Sequence, residues 1–158
     1  MACAKFLGSR TAGALSALAL CLIMAQRSAF AVQDCFDAAA SYHQVSPDIL
    51  RSIAIQENWR CDGTVRRNSN GSIDVGCMQI NSIHFSELSR FGIAPSDLLD
   101  QCKNIYIGAW HYKKMMRRYG NTWMAVGAYH SETIAERDSY ALKVYKNLAT
   151  LFFSKRER

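Results

Sequence analysis

Residues 46–58, Ser46-Pro47-Asp48-Ile49-Leu50-Arg51-Ser52-Ile53-Ala54-Ile55-Gln56-Glu57-Asn58, fix more of the architecture than any other segment. Ser46 can cap a helix through its hydroxyl, and Pro47 suits the first helical position because an N–H there would find no partner in the helix. Leu50, Ile53 and Ala54 recur at the spacing of one helix face, which predicts a helix running to about Asn58. The next position on that apolar stripe is Glu57. A carboxylate there points toward the interior or into a cleft. For folding this is a cost, since a desolvated charge must be paired or neutralised. The plainer reading is a structural glutamate paired with an arginine such as Arg51 or Arg60. The chemical reading is a general acid: desolvation keeps a glutamate protonated near neutral pH, and the carboxyl end of a helix dipole acts in the same direction.

On either side of this helix the pattern stays mostly helical. Residues 34–42 read as a first helix, and residues 60–77 break the helical period. Within that break Asn70-Gly71, with flanks ending in Ile73 and Val75, carries the signature of a tight hairpin. Residues 79–91 read as helix again, and Pro95 opens a short turn. Residues 101–119 form a long helix that Gly120 ends as a left-handed cap. Two further helices are expected over 122–129 and 134–153. No linker, repeat or low-complexity stretch interrupts the chain. The expected fold is a single mainly α domain with a small hairpin insertion after the glutamate helix.

The 158-residue chain is 49% hydrophobic and carries a formal net charge of +6. Such a length suits one domain with a real core. Lys5, Arg10 and Arg27 lie within the first 31 residues, which hold no acid, leaving 16 basic against 13 acidic residues, or +3, for the remainder. That balance does not predict a nucleic-acid partner. The same 31 residues read as a secretory signal peptide, with a basic start, an apolar run from Ala12 to Ala25 and small residues at Ala29 and Ala31. Cleavage is expected before Val32, so the chain divides into a leader at 1–31 and a domain at 32–158. The apolar run of 14 residues is shorter than the roughly 20 of a spanning helix, so no stable membrane anchor is expected. A lipid anchor on Cys21 is disfavoured by the bulky Leu20 before it.

Cleavage leaves Cys35, Cys61, Cys77 and Cys102 in an oxidising compartment, where disulfides are at home. Four cysteines allow three pairings, and the sequence does not choose among them. The pairing carried forward as an expectation is Cys35 with Cys102, tying the amino terminus to a later helix, and Cys61 with Cys77, closing a local loop. No paired Cys/His spacing suggests zinc, and His43, His84 and His111 are scattered along the chain, so neither metal nor cofactor is expected.

Four motifs in order carry a family resemblance: Ile53-Ala54-Ile55-Gln56-Glu57, then Gly76-Cys77-Met78-Gln79-Ile80, then Asn104-Ile105 with Gly108-Ala109, then Ala128-Tyr129. Together they resemble the peptidoglycan lytic transglycosylases of the SLT-domain, goose-type lysozyme-like superfamily. Asp34-Cys35-Phe36, Asp74-Val75-Gly76 and Gly127-Ala128-Tyr129-His130-Ser131 are similar to the branch of small secreted transglycosylases, called invasion proteins, that accompany type III secretion systems. The resemblance runs from about Asp34 to Tyr145.

The resemblance implies a lysozyme-like fold and Glu57 as the single catalytic residue. It implies a substrate-binding set of Asn58, Gly76, Met78, Gln79, Ile80, Tyr129 and His130. Gln79 and Met78 would line the cleft, the Gln79 amide near a sugar N-acetyl group, and Tyr129 would hydrogen-bond near Glu57 and orient it. Two positions depart from the family pattern: Asn58 stands in place of a serine, and His130 in place of an asparagine. The implied reaction cleaves the MurNAc–GlcNAc bond to 1,6-anhydro ends, in the periplasm, by a monomer with peptidoglycan as substrate and secretion-system components as partners. The alternatives are a hydrolytic muramidase or a catalytically weak peptidoglycan-binding assembly protein.

Among the remaining residues the plainer readings come first. Asp74 reads as a hairpin hydrogen-bonding residue. Trp110 and Trp123 read as core, with Trp59 and Phe85 as candidates for stacking on sugars. Lys113, Lys114, Arg117 and Arg118 form an i, i+4 basic face read as solvated. Asn68, Asn70, Gly71, Ile73 and Asp74 faintly resemble a calcium loop but lack its acidic ligands and read as a turn.

Overall fold

A computed structural model of the chain describes residues 35–156. The expected leader and its cleavage point lie outside the described residues. Helix α1 covers residues 35–43 and α2 Pro47–Asn58. Three short strands follow, β1 (Val65–Arg67), β2 (Ile73–Val75) and β3 (Ile80–Asn81). A 3₁₀ turn at Ser82–His84 leads into α3 (Phe85–Ser89), and a second at Pro95–Leu99 leads into α4 (Gln101–Tyr119). Helices α5 (Trp123–Ala128) and α6 (Ile134–Arg156) complete the described chain. The architecture is mainly α with one small antiparallel sheet, as expected for a lysozyme-like domain.

Local chemistry accounts for most of the boundaries. The Ser46 hydroxyl accepts from the Ile49 amide at 3.3 Å, with Pro47 in the first turn. Asp100 caps α4 at the Lys103 amide, and Thr122 caps α5 at the Ala125 amide. Each satisfies an amide that the helix itself cannot pair. Gly120 does end α4, but at φ +71 and ψ −175 it leaves in an extended left-sided conformation rather than a left-handed helical cap.

The hairpin differs from the tight two-residue turn expected at Asn70-Gly71. Asn68 and Ser72 close a three-residue loop: the Asn68 N–H donates to the Ser72 carbonyl at 2.8 Å and the Gly71 N–H to the Asn68 carbonyl at 3.1 Å. Gly71 sits at φ +84, the glycine position of a type I turn with a bulge. The 79–91 helix is also corrected. Gln79 lies at φ +45, Ile80 and Asn81 pair with Val75 and Asp74 as a third strand, and helix begins only at Phe85. A helix pattern read from side chains misses this, because Asn81 caps the 3₁₀ turn through the Ile83 amide and so separates strand from helix.

The core gathers one face of each main helix, with α4 supplying more of the described buried residues than any other. Helices α2 and α5 pack on α6, and α4 packs on α5. Leu50, Ile53 and Ala54 of α2 are buried, the stripe their spacing predicted, together with Ile105, Ala109 and Tyr112 of α4 and Tyr140 and Val144 of α6. The structure joins Cys35 to Cys102, fastening α1 to the start of α4, and Cys61 to Cys77, closing the loop that carries the hairpin.

Candidate active site

Glu57 is the penultimate residue of α2, partly buried at the junction of two cavities. The larger, of about 730 Å³, runs along the sheet; the smaller, of about 250 Å³, runs along α6. No ion pair neutralises Glu57 among the described residues. Arg51 is committed to Asp37 and Asp48, and Arg60 lies over the Trp59 ring. The partner of Glu57 is Tyr140 instead, whose hydroxyl donates to Oε1 at 2.5 Å. Burial raises the Glu57 pKa to about 7; the Tyr140 hydrogen bond opposes that rise, the charge of Asp74 adds to it and the charge of Arg66 opposes it. A carboxyl half-protonated near neutral pH can both give and take a proton there.

The sheet supplies the facing wall. Arg66, Asp74 and Asn81 form one rung across the three strands, in register. Asp74 accepts from the Asn81 amide at 2.7 Å on one oxygen and from the Asn68 amide at 2.8 Å on the other. Both amides also donate to the Ser72 hydroxyl. Two amides, themselves tied together through Ser72, thus hold one carboxylate in a fixed orientation on the cleft wall. The Arg66 guanidinium reaches back to the Glu57 backbone carbonyl at 3.4 Å.

The strap from Gly76 to Gln79 joins β2 to β3 beneath the cleft. Asn104, fully buried on α4, fastens it. Its amide donates to the carbonyls of Val75 and Leu98, and its Oδ1 accepts from the Met78 amide at 2.7 Å. Gly76 lies at φ +81 so close to Asn104 that a Cβ would stand 2.3 Å from its Nδ2. Met78 is wholly buried with its side chain against Gly108. The Gln79 amide donates to the Gly76 carbonyl at 2.7 Å and the Thr64 carbonyl at 3.2 Å, while its Oε1 is buried without a partner among the described residues.

These positions sort the expected substrate-binding residues. Gln79, Ile80, Tyr129 and His130 line the larger cavity with Glu57. Asn58, Gly76 and Met78 do not line it. The Asn58 amide donates to the Asp62 carboxylate at 2.9 Å, anchoring the loop after α2, while Gly76 and Met78 shape the strap from behind. The expected role of Tyr129 is corrected as well. Its hydroxyl donates to the Met78 carbonyl at 2.8 Å, so it holds the strap, and the bond to the glutamate comes from Tyr140. Tyr140 escaped the sequence reading, although a signal existed: a tyrosine four residues before the buried Val144 shares its stripe and must find a polar partner when buried.

Other expectations shift too. His84 and His111, far apart in sequence, lie side by side with ring centroids 4.6 Å apart on the wall of the larger cavity. Burial lowers the His111 pKa to about 4, and its Nε2 meets the Tyr129 carbonyl at 3.1 Å. The basic face divides: Lys114 pairs with Glu87 and Arg118 with Glu132 at the cavity rim, while Lys113 reaches the Gln44 carbonyl elsewhere. Trp123 is 41% exposed rather than core, edge-on to Tyr145.

A mainly α domain that sets one sheltered glutamate at a helix end, opposite a small sheet and above an open cleft, defines a lysozyme-like enzyme of glycan cleavage. The chain matches the transglycosylase SLT domain over residues 34–147 and belongs to that family, as a peptidoglycan lytic transglycosylase. It is 38% identical to the X polypeptide of Escherichia coli over 136 residues, covering 82% of this chain and 80% of that protein. It is 37% identical to the invasion protein IagB of Salmonella typhimurium over 123 residues, covering 75% and 77%. With the protein IpgF of Shigella flexneri it shares 34% identity over 118 residues, covering 72% and 78%.

Proposed function

We propose that Glu57 alone serves as acid and then base in this enzyme, releasing 1,6-anhydro-MurNAc ends. The observation that carries this reading is the Glu57 carboxyl itself, sheltered where two cavities meet, raised to about pH 7 and oriented by the Tyr140 hydroxyl. Protonated Glu57 gives its proton to the glycosidic oxygen as the bond to C1 breaks. The N-acetyl carbonyl of the muramic residue stabilises the positive charge at C1. Glu57, now a carboxylate, takes the proton of the muramic 6-hydroxyl as that oxygen bonds to C1. Glu57 ends protonated again, its first proton carried off on the hydroxyl of the leaving sugar, and no water is consumed. Gln79 supports the reading, since its unpartnered Oε1 is an acceptor suited to a sugar N–H.

A second reading, hydrolysis by water, is favoured by one observation. Asp74 is a second carboxylate on the same cleft, firmly held by Asn68 and Asn81. In that version Asp74 assists at C1 and water takes the place of the 6-hydroxyl.

The setting belongs to the same proposal. The chain is exported through cleavage before Val32 and works in the periplasm as a monomer, opening the wall for a type III or related secretion apparatus. The basic, apolar leader and the two disulfides support export, and similarity to an invasion protein supports the secretion role. Among the described residues no helix is long and apolar enough to cross a membrane. Glu57→Gln should lower the release of soluble fragments from purified sacculi by at least about a thousandfold, the order set by losing a general acid in a single-acid site. Retained activity in that variant would remove Glu57 from the chemistry.

A further inference from the structure

Helix α6 has a second apolar face that the core does not use. Tyr140 and Val144 are buried, but Leu142, Tyr145, Phe152 and Phe153 are each more than half exposed. With successive residues about 100° apart, these four side chains spread over about 100° of the helix surface. Trp123 and Met124 of α5 extend the patch, sharing with Ala141, Leu142 and Tyr145 a groove of about 320 Å³. Asp138 bounds it at one end and is tied to Arg137. Tyr140 and Glu136, which line the smaller cavity beside Glu57, face away from this patch.

The charge beside the patch says what it fits. From Ser139 to Arg156 the sequence of α6 holds Lys143, Lys146, Lys155 and Arg156 and no acid. Lys146 is exposed, four residues after Leu142 and seven before Phe153, and enters no ion pair among the described residues. Aromatic and aliphatic side chains edged by lysine suit the surface of an anionic bilayer, where the rings enter the headgroup region and the ammonium meets lipid phosphate. A second copy of the chain fits less well. It would bring another set of lysines to the same seam with no acid of this stretch to meet them, and two helices meet along a seam narrower than this arc. We propose that the outer face of α6, with Trp123 and Met124, is a docking surface for a bilayer containing anionic phospholipid. Attachment is interfacial and reversible: α6 lies along the surface, and among the described residues no helix is long and apolar enough to cross a membrane. Docking through this face leaves Tyr140, Glu57 and the smaller cavity uncovered. The surface stands whatever the chemistry at Glu57.

The test is flotation of the protein, purified in the form in which the cell leaves it, with two kinds of vesicle. One kind mixes phosphatidylglycerol with phosphatidylethanolamine; the other is phosphatidylcholine alone. Local contact is read from Trp123 in a Trp59→Phe, Trp110→Phe background, by quenching with lipid brominated on its acyl chains. The anionic vesicles should bind at least about tenfold more tightly, and the affinity should fall as salt rises. Lys146→Gln should weaken binding by about fivefold. Leu142→Ser and Phe152→Ser should each weaken it by about tenfold. All three variants should cleave purified sacculi as the wild type does, because none of these residues lines either cavity beside Glu57. Equal binding to both vesicles, binding that survives all three variants, or an unquenched Trp123 overturns the proposal. Absence of flotation overturns it as well, and a concentration-dependent dimer abolished by Leu142→Ser would then give the face to a second copy.

Discussion

Glu57 is set by opposing neighbours, and each makes a distinct mark on the pH dependence. In the proposed mechanism cleavage begins with the protonated carboxyl, so the rate should fall as pH rises through about 7. The Tyr140 hydroxyl donates to the carboxylate form and stabilises it. Tyr140→Phe should therefore raise the Glu57 pKa and carry the alkaline limb to higher pH. Asp74 acts the other way, since its negative charge favours the protonated form. Asp74→Asn should carry the same limb to lower pH. Rates on purified sacculi between pH 5 and 9 check both, and shifts in the same direction would contradict this account of the site. The glutamate was legible from its place on a buried stripe, but its partner was not, because Tyr140 lies 83 residues away and only packing of α2 on α6 brings them together. His130 joins the same group, stacked on Tyr140 with ring centroids 4.9 Å apart and planes within 4°.

The elements of the site differ in how far the sequence announced them. Helices α2, α4 and α5 carry capping side chains at their first turns and apolar stripes along their length, both local signals. Strand β3 carries neither. It exists because the strap turns at Gln79 and because Asp74 and Val75 offer it partners. The strap in turn depends on Asn104, which ties α4, β2 and the 3₁₀ turn at Pro95–Leu99 together through three buried hydrogen bonds. Asn104→Ala leaves two carbonyls and one amide without that partner, at about 1 kcal/mol or more for each group. Denaturant unfolding should show a loss of about 3 kcal/mol or more, and the folded fraction should lose activity because Gln79 and Tyr129 share the strap. A stability close to wild type would mean that the strap is held by its neighbours alone. The polar cluster around Asp74 shows the same limit of sequence reading: Asn68 and Asn81 look like turn and cap residues until the sheet places them on one carboxylate.

At the scale of the whole molecule, two disulfides frame the site. Cys35–Cys102 spans 67 residues and Cys61–Cys77 spans 16, which in the chain-entropy account correspond to roughly 4 and 3 kcal/mol. Reduction should lower the thermal midpoint markedly. Replacing only Cys61 and Cys77 with serine should cost less stability than replacing Cys35 and Cys102, yet more activity, because the shorter link flanks the hairpin and the strap. The charge is distributed to match. The first 31 residues carry three basic residues and no acid, a charge that the proposed export would account for, and the remainder holds 16 basic against 13 acidic residues. The most direct measurement is mass spectrometry of the muropeptides released from purified sacculi by the wild-type chain and by Glu57→Gln. Wild type should release products ending in 1,6-anhydro-MurNAc, lighter by one water than hydrolysed ends, and the variant should release none. Reducing MurNAc ends from the wild type would contradict the single-glutamate account and establish hydrolysis in its place.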